Sequence, residues 1–154
     1  MLKEGKKAPD FTLPGDGNDK IKLSALKGKP VVVYFYPKDN TPGCTKEAIA
    51  FTELLSEFDK ASATVVGISP DSVAAHDKFI AKHELGVRLA ADEDKKAIEK
   101  YGVWVEKTNY GRKYMGVERS TFLIDSKGKI ARIWRKVRVQ GHAQAVLEAL
   151  GELS

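Results

Sequence analysis

The sequence has almost no cysteine, since Cys44 is the only one in 154 residues. A lone thiol cannot form a disulfide within its own chain, and the C-x-x-C pair of thiol–disulfide oxidoreductases is absent. No apolar run approaches the roughly 20 residues that a membrane-spanning helix needs. The first residues, Met1-Leu2-Lys3-Glu4-Gly5, lack the apolar core of a secretory signal. A single cysteine without an export signal predicts a cytoplasmic protein.

Both signs of charge are abundant: the chain has 26 basic and 21 acidic residues, which gives a net charge of +5. The basic excess is concentrated at Lys127, Lys129, Arg132, Arg135, Lys136 and Arg138. This cluster could bind nucleic acid, or it could be the solvated face of a strand pair near a sheet edge, where Lys and Arg discourage aggregation. Both signs are spread through the rest of the chain, so we favour the second interpretation. We predict no nucleic-acid partner and no membrane partner.

Strand patterns and helix patterns alternate along the chain. Period-two patterns at Phe11–Leu13 and Lys20–Leu23 flank a turn-rich loop and predict an N-terminal β-hairpin. Val31–Tyr36 and Thr64–Ser69 are typical of buried strands. Further strands are predicted at 87–90, 119–125 and 129–139, and helices at 45–58, 72–83, 94–101 and 141–153. This order predicts an α/β fold with a central mixed β-sheet flanked by helices. Without a repeat or linker, we expect one domain over residues 1–154.

Cys44 lies where a predicted strand gives way to a predicted helix. The strand Val31–Tyr36 is followed by the turn-forming segment Pro37–Gly43, and the helical pattern begins near the cysteine. Unpaired N–H groups and the positive end of the helix dipole favour an anion at such a position. These are the conditions that produce a reactive thiolate. A lone cysteine can instead be an inert packing residue, but the position of Cys44 favours a reactive thiolate.

Four other residues could serve the thiol. Thr41 could donate its hydroxyl to a thiolate or a substrate, or it could be a helix N-cap or an Asx/ST-type turn that closes the loop. Pro37 could exclude water or only end the strand, and Gly43 could let the backbone approach a ligand or only permit a tight turn. Arg119, at the start of a predicted strand, could supply a fixed cation that holds two oxygens, or it could face solvent. The residue pattern leaves these alternatives open.

The remaining titratable residues suggest structural roles. Glu47, one helical turn beyond Cys44, could orient the site, but a glutamate in the first helical turn commonly only compensates the helix dipole. His142 is expected to be a cap or a hydrogen-bonded structural histidine, and His76 and His83 are expected on an exposed helix face. These histidines show no metal-like spacing with carboxylates, so we predict no metal.

The residues around the cysteine resemble those of the peroxiredoxin family. Pro37-x-x-x-Thr41-x-x-Cys44 is similar to the peroxiredoxin active-site motif, and the string from Tyr34 to Thr45 resembles its bacterioferritin comigratory protein, or PrxQ, branch. Further blocks resemble the same branch in order and spacing, at residues 8–13, 67–71, 118–125, 134–137 and 141–142. The likeness covers nearly the whole chain.

The resemblance implies a thioredoxin-like fold and an antioxidant thiol peroxidase without a cofactor. The Cys44 thiolate would attack hydrogen peroxide or an organic hydroperoxide and become a sulfenic acid. By motif position, Thr41 would hydrogen-bond the thiolate and the peroxide, and Arg119 would stabilise both. Pro37 would shield the pocket, while the N–H groups of Gly43 and Cys44 would bind a peroxide oxygen.

The chain departs from this branch because it has no second cysteine. Many members carry a resolving cysteine where this chain has Ile49, and the segment Phe79–Lys82 on the following helix has none either. The resemblance therefore implies a one-cysteine peroxidase, reduced by thioredoxin, glutaredoxin or a small thiol and prone to over-oxidation. We expect a monomer or weak dimer. A non-catalytic thioredoxin-fold binding protein is the competing hypothesis.

Overall fold

The computed structural model of the protein describes residues 2–153. The strands are β1 (Thr12–Pro14), β2 (Lys20–Lys22), β3 (Val31–Phe35), β4 (Thr64–Ser69), β5 (Arg88–Ala91), β6 (Trp104–Asn109), β7 (Arg112–Val117), β8 (Ser120–Ile124) and β9 (Ile130–Trp134). The helices are α1 (Pro42–Glu53), α2 (Leu55–Lys60), α3 (Val73–His83), α4 (Lys96–Lys100) and α5 (His142–Gly151). No helix within residues 2–153 is both long enough and apolar enough to cross a membrane.

Five strands form a central mixed sheet in the order β5-β4-β3-β8-β9. β3 pairs with β4 in parallel and with β8 antiparallel, and all five residues of β3 are buried. Parallel neighbours need a crossover connection, which α1 and α2 supply between β3 and β4. The predicted mixed sheet flanked by helices is confirmed, as is the N-terminal hairpin of β1 and β2.

The two faces of the sheet bury different clusters of side chains. Alternation along β3 directs Val33 and Phe35 to one face and Val32 and Tyr34 to the other. Cys44, in α1, belongs to the second cluster. The thiol therefore lies on the face of the sheet that carries Val32 and Tyr34.

The helix predicted over residues 45–58 is two helices in the structure. α1 begins earlier, at Pro42, because proline fits the first position of a helix. It ends at Glu53, because the backbone of Leu54 (φ −99°, ψ 3°) leaves the helical region before α2 starts.

A second hairpin, formed by β6 and β7, has no counterpart among the predicted elements. Its turn is Tyr110-Gly111, with φ of 52° and 76°. Two adjacent residues with positive φ are the mark of a tight hairpin turn, so the Asn109-Tyr110-Gly111 sequence was the available signal. The strand predicted over 129–139 is shorter in the structure, where β9 ends at Trp134. Lys136, two residues later, adopts a left-handed conformation (φ 49°), which is incompatible with a continuing strand.

The basic cluster lies at the edge of the sheet, as predicted. β9 is an edge strand, and Lys127, Lys129, Arg132, Lys136 and Arg138 are exposed. Arg132 lies 5.1 Å from the ring centre of Trp134, and Arg135 lies 5.8 Å from that of Phe122. Part of the cluster thus packs on aromatic rings.

Candidate active site

Cys44 is the third residue of α1, and only 2% of its surface is exposed. Thr41 precedes the helix with an extended backbone, and Thr45 is the first residue whose N–H bonds back, to the Thr41 carbonyl at 2.9 Å. The N–H groups of Gly43 and Cys44 therefore belong to the unpaired set at the helix N-terminus. The predicted position of the thiol is confirmed.

Arg119 supplies a cation directly beside the sulfur. It precedes β8, whose first residue pairs with Phe35 at the end of β3, so the fold brings it to the N-terminus of α1. Its Nη2 donates to the Cys44 Sγ at 3.3 Å, and its Nη1 donates to Glu47 Oε1 at 2.7 Å. Burial opposes the charged form, but the Glu47 and Cys44 charges outweigh it and raise the pKa of Arg119. Arg119 is thus a permanent cation, turned toward the thiol rather than toward solvent.

Glu47 does more than compensate the helix dipole, the role that we favoured: it orients Arg119, which is the alternative that the sequence left open. Only 1% of its surface is exposed, and Oε1 accepts the hydrogen bond from Arg119. Its other oxygen, Oε2, is buried without a hydrogen-bond partner within residues 2–153. Burial raises the pKa of Glu47 to about 7, although Arg119 acts in the opposite direction. The spacing of Cys44 and Glu47, one helical turn apart, was the sequence signal for this contact.

Thr41 and Pro37 lie in the segment that joins β3 to α1. The Thr41 hydroxyl donates to the Lys38 carbonyl at 2.8 Å, which closes the loop. A hydroxyl has one hydrogen, so the Thr41 oxygen remains available as an acceptor. Pro37 is half-buried, two residues beyond the last residue of β3.

Lys107, on β6 of the hairpin that was not predicted, is half-buried. Burial and the positive charge of Arg119 lower the pKa of Lys107, while Cys44 and Glu118 raise it. The hairpin thus carries a basic side chain whose charge interacts with those of Arg119 and Cys44.

His142 is a structural histidine, as predicted. Its Nε2 lies 2.7 Å from the Thr121 hydroxyl, and its ring packs edge-on against Phe51 and Trp134. Burial and, after it, the charge of Arg119 lower the pKa of His142 to about 4. It is therefore neutral at neutral pH.

His76 is completely buried, so its predicted exposure was wrong. Its Nδ1 lies 2.6 Å from Asp39 Oδ2, and its Nε2 lies 3.0 Å from the Ala90 carbonyl. The spacing of His76 and Phe79, three residues apart, placed both on one face of α3 and was the signal for burial. His83 is half-buried, with Nε2 3.0 Å from Asn40 Oδ1.

Asp39, Asp71 and His76 bring their side-chain ligand atoms within 4.8 Å of one another. The Nδ1 of His76 and the Oδ2 of Asp39 are only 2.6 Å apart. Two ligands of a tetrahedral metal with bonds of about 2.0 Å would be roughly 3.3 Å apart. The arrangement suits a hydrogen bond better than a metal ion.

The sequence of the whole chain is similar to known proteins of one family. Residues 5–133 match the AhpC/TSA family. A putative peroxiredoxin bcp of Coxiella burnetii is 51% identical over 152 residues, covering 99% of this chain and 99% of that protein. The peroxiredoxin Bcp of Bacillus subtilis is 48% identical over 150 residues, covering 97% of this chain and 96% of that protein.

The structure agrees with these matches. It superposes with a TM-score of 0.91 on the bacterioferritin comigratory protein of Xanthomonas campestris, described with alkyl peroxide reduction activity, at 44% identity over 97% of this chain and 98% of that one. It superposes on PrxQ of Xylella fastidiosa with a TM-score of 0.94, at 39% identity over 99% of this chain and 97% of that one. The predicted thioredoxin-like fold and family are confirmed. The chain therefore belongs to the AhpC/TSA family, in the Bcp, or PrxQ, branch of the peroxiredoxins, which are thiol-dependent peroxidases.

Proposed function

We propose that Cys44 is the peroxidatic nucleophile of this enzyme and that it reduces hydrogen peroxide and organic hydroperoxides. The observation that carries the proposal is the Arg119 guanidinium, held 3.3 Å from Sγ by a buried carboxylate. A preorganised cation stabilises both a thiolate and the charge that develops when an O–O bond breaks. The alkyl peroxide reduction described for the Xanthomonas campestris relative supports the organic substrates.

The proposed first step is a displacement on peroxide oxygen. The thiolate forms an S–O bond with one oxygen, the O–O bond breaks, and the departing oxygen takes a proton and leaves as water or an alcohol. The free lone pairs of Thr41 accept the peroxide O–H, while the N–H groups of Gly43 and Cys44 donate to a peroxide oxygen. Pro37 excludes water from the pocket. Cys44 is left as a sulfenic acid.

The second step needs a thiol from outside the chain, since the sequence has one cysteine. A first external thiol condenses with the sulfenic acid to a mixed disulfide and releases water, and a second thiol then frees Cys44. We propose thioredoxin, glutaredoxin or a small thiol as the reductant, and a cytoplasmic monomer or weak dimer acting as one domain without a nucleic-acid partner. The absence of a second cysteine supports the external reductant.

Stopped-flow measurement of peroxide loss tests the nucleophile. Reduced protein is expected to consume one equivalent of peroxide far faster than free cysteine does, and Cys44→Ser is expected to consume none. Mass spectrometry of the treated protein should show one added oxygen on Cys44, which becomes a mixed disulfide when a thiol is supplied. A wild-type rate no faster than that of free cysteine would overturn the proposal.

A further inference from the structure

The segment that carries Pro37 and Thr41, here called the peroxide loop (residues 37–41), is anchored at Asp39. This residue is buried, with 8% of its surface exposed. Its Oδ1 accepts from the Tyr36 hydroxyl at 2.5 Å, and its Oδ2 lies 2.6 Å from His76 Nδ1. Its backbone N–H donates to Asp71 Oδ2 at 2.8 Å. The Asp39 side chain thus ties the peroxide loop to Tyr36, the residue after β3, and to α3.

The hydrogen-bond partners fix the number of protons in this cluster. The Ala90 carbonyl can only accept, so His76 Nε2 must carry a hydrogen. Burial raises the pKa of Tyr36 well above its usual value, so Tyr36 stays a phenol and donates to Asp39. The remaining pair, Nδ1 and Oδ2, would repel at 2.6 Å if neither carried a hydrogen. One proton must therefore lie between them, on the ring or on the carboxyl group.

We propose that Asp39 and His76 share one buried proton, and that the resulting hydrogen bond makes them positioning residues that hold the peroxide loop in its reactive geometry. The inference rests on the proposed function, because it assigns a task to the loop that bears Pro37 and Thr41. Neither residue hydrogen-bonds to Cys44, so they act through the loop. Displacing reacting groups by about 1 Å can cost about 100-fold in rate.

The charged and titratable groups around the pair do not replace this bond. Tyr36, the residue after β3, contacts the pair, and Tyr34 of β3 stacks on Tyr36. Asp71 lies in the segment before α3, and Asp92 follows β5. Lys38, Lys78 and Lys82 line the adjacent surface cavity, together with Asp39 and Asp71. Asp71 is engaged by the Asp39 N–H and the Ser69 hydroxyl, and Asp92 by the N–H groups of Lys96 and Ile98.

Two substitutions of Asp39 separate the hydrogen bond from the charge. In Asp39→Asn, the amide oxygen can accept from Tyr36, and the amide nitrogen can donate to Nδ1 of a neutral His76. The loop keeps its anchor, although no proton is shared. In Asp39→Ala, both bonds are lost, and the loop is released. Asp77→Ala is the matched control, because Asp77 follows His76 on α3 but is exposed and binds only the Gly17 N–H.

Rates of Cys44 oxidation, measured by stopped flow on folded variants, test the positioning role. We expect Asp39→Ala to be slower by at least tenfold and Asp39→Asn to stay within about threefold of the wild type. Asp77→Ala should match the wild type. Asp39→Ser, whose hydroxyl cannot reach His76, replaces Asp39→Ala if that variant does not fold. A wild-type rate in Asp39→Ala (or in Asp39→Ser, where it replaces that variant) would overturn the proposal. An Asp39→Asn rate as low as that of Asp39→Ala would also overturn it.

Proton NMR tests the shared proton without any peroxide. A hydrogen held in a bond this short should give a strongly downfield resonance in the wild type and in Cys44→Ser, and the signal should vanish in both Asp39 variants. Its absence from the wild type would refute the shared proton. If the resonance is present but the wild-type protein does not consume peroxide, the proposed function fails and the shared proton stands.

Discussion

Arg119 bridges two acidic groups, the Cys44 thiol and the buried Glu47 carboxyl group. Its removal takes away the cation that is hydrogen-bonded to the thiolate, so we expect Arg119→Ala to slow the reaction with peroxide by about 100- to 1,000-fold. Arg119→Lys keeps the charge but cannot donate to Cys44 and Glu47 with the planar geometry of a guanidinium. Its rate should therefore lie between those of the wild type and Arg119→Ala. Stopped-flow rates and the ultraviolet absorbance of the thiolate measure both effects. An unchanged rate and absorbance in Arg119→Ala would remove Arg119 from the site.

Gly43 gives Arg119 room to reach the sulfur. A Cβ at this position would lie 3.1 Å from Arg119 Nη2. We therefore expect Gly43→Ala to shift the guanidinium and slow peroxide reduction about tenfold, while the free energy of unfolding changes by less than about 1 kcal/mol. Gly151→Ala is the control, since its Cβ would meet nothing within 4 Å. Equal rates for both variants would show that the guanidinium adapts without loss.

Among the secondary-structure elements, those defined by local chemistry were predicted from the sequence. The junction of β3 and α1 combines a buried β-branched strand, a turn segment and a helical pattern, so Cys44 was placed correctly near a helix start, although Pro42 was assigned to the turn. His76 and Glu47 were misjudged because their burial depends on partners 37 and 72 residues away in the chain. Periodicity can place such residues on a face, but it cannot identify what covers that face.

Helix α1 also determines whether a second thiol could resolve the sulfenic acid. Two residues five apart in a helix are separated by about 7.5 Å along its axis, which exceeds the Cα separation of a disulfide. We expect Ile49→Cys to form an internal disulfide with Cys44 after peroxide treatment, but only as α1 unwinds. Peptide mapping without reductant measures the disulfide, and over-oxidation should decrease. Ile49→Ser should over-oxidise like the wild type, and a lack of disulfide in Ile49→Cys would contradict the prediction.

At the scale of the whole molecule, two buried groups make stability depend on pH in opposite directions. The pKa of Glu47 rises from 4.5 to about 7 on folding, so its contribution to stability is lost as pH rises through that range. The loss amounts to about 3 kcal/mol. The pKa of His142 falls from 6.5 to about 4, so its contribution is lost as pH falls through that range.

The two effects oppose each other where their ranges overlap, and single substitutions should separate them. We expect the free energy of unfolding of Glu47→Gln, relative to the wild type, to increase as pH rises from about 4.5 to about 7. His142→Gln should show the reverse trend between about 4 and 6.5. Urea unfolding at several pH values measures both. Curves parallel to that of the wild type would mean that neither group titrates as described.

Reduction of the enzyme requires part of the molecule to open. Only 2% of the Cys44 surface is exposed, and an external thiol must touch the sulfur, so the first turn of α1 must unfold locally. The rate of sulfenic acid reduction should therefore reach a plateau at high thiol concentration. Lys46→Gly, in α1, should raise the plateau about two- to fivefold, because glycine destabilises a helix by about 0.5–1 kcal/mol. Lys78→Gly, in α3, is the matched exposed control and should leave the plateau unchanged. A rate that rises linearly with thiol concentration, or an equal increase in both variants, would show that the thiol reaches Cys44 without opening α1.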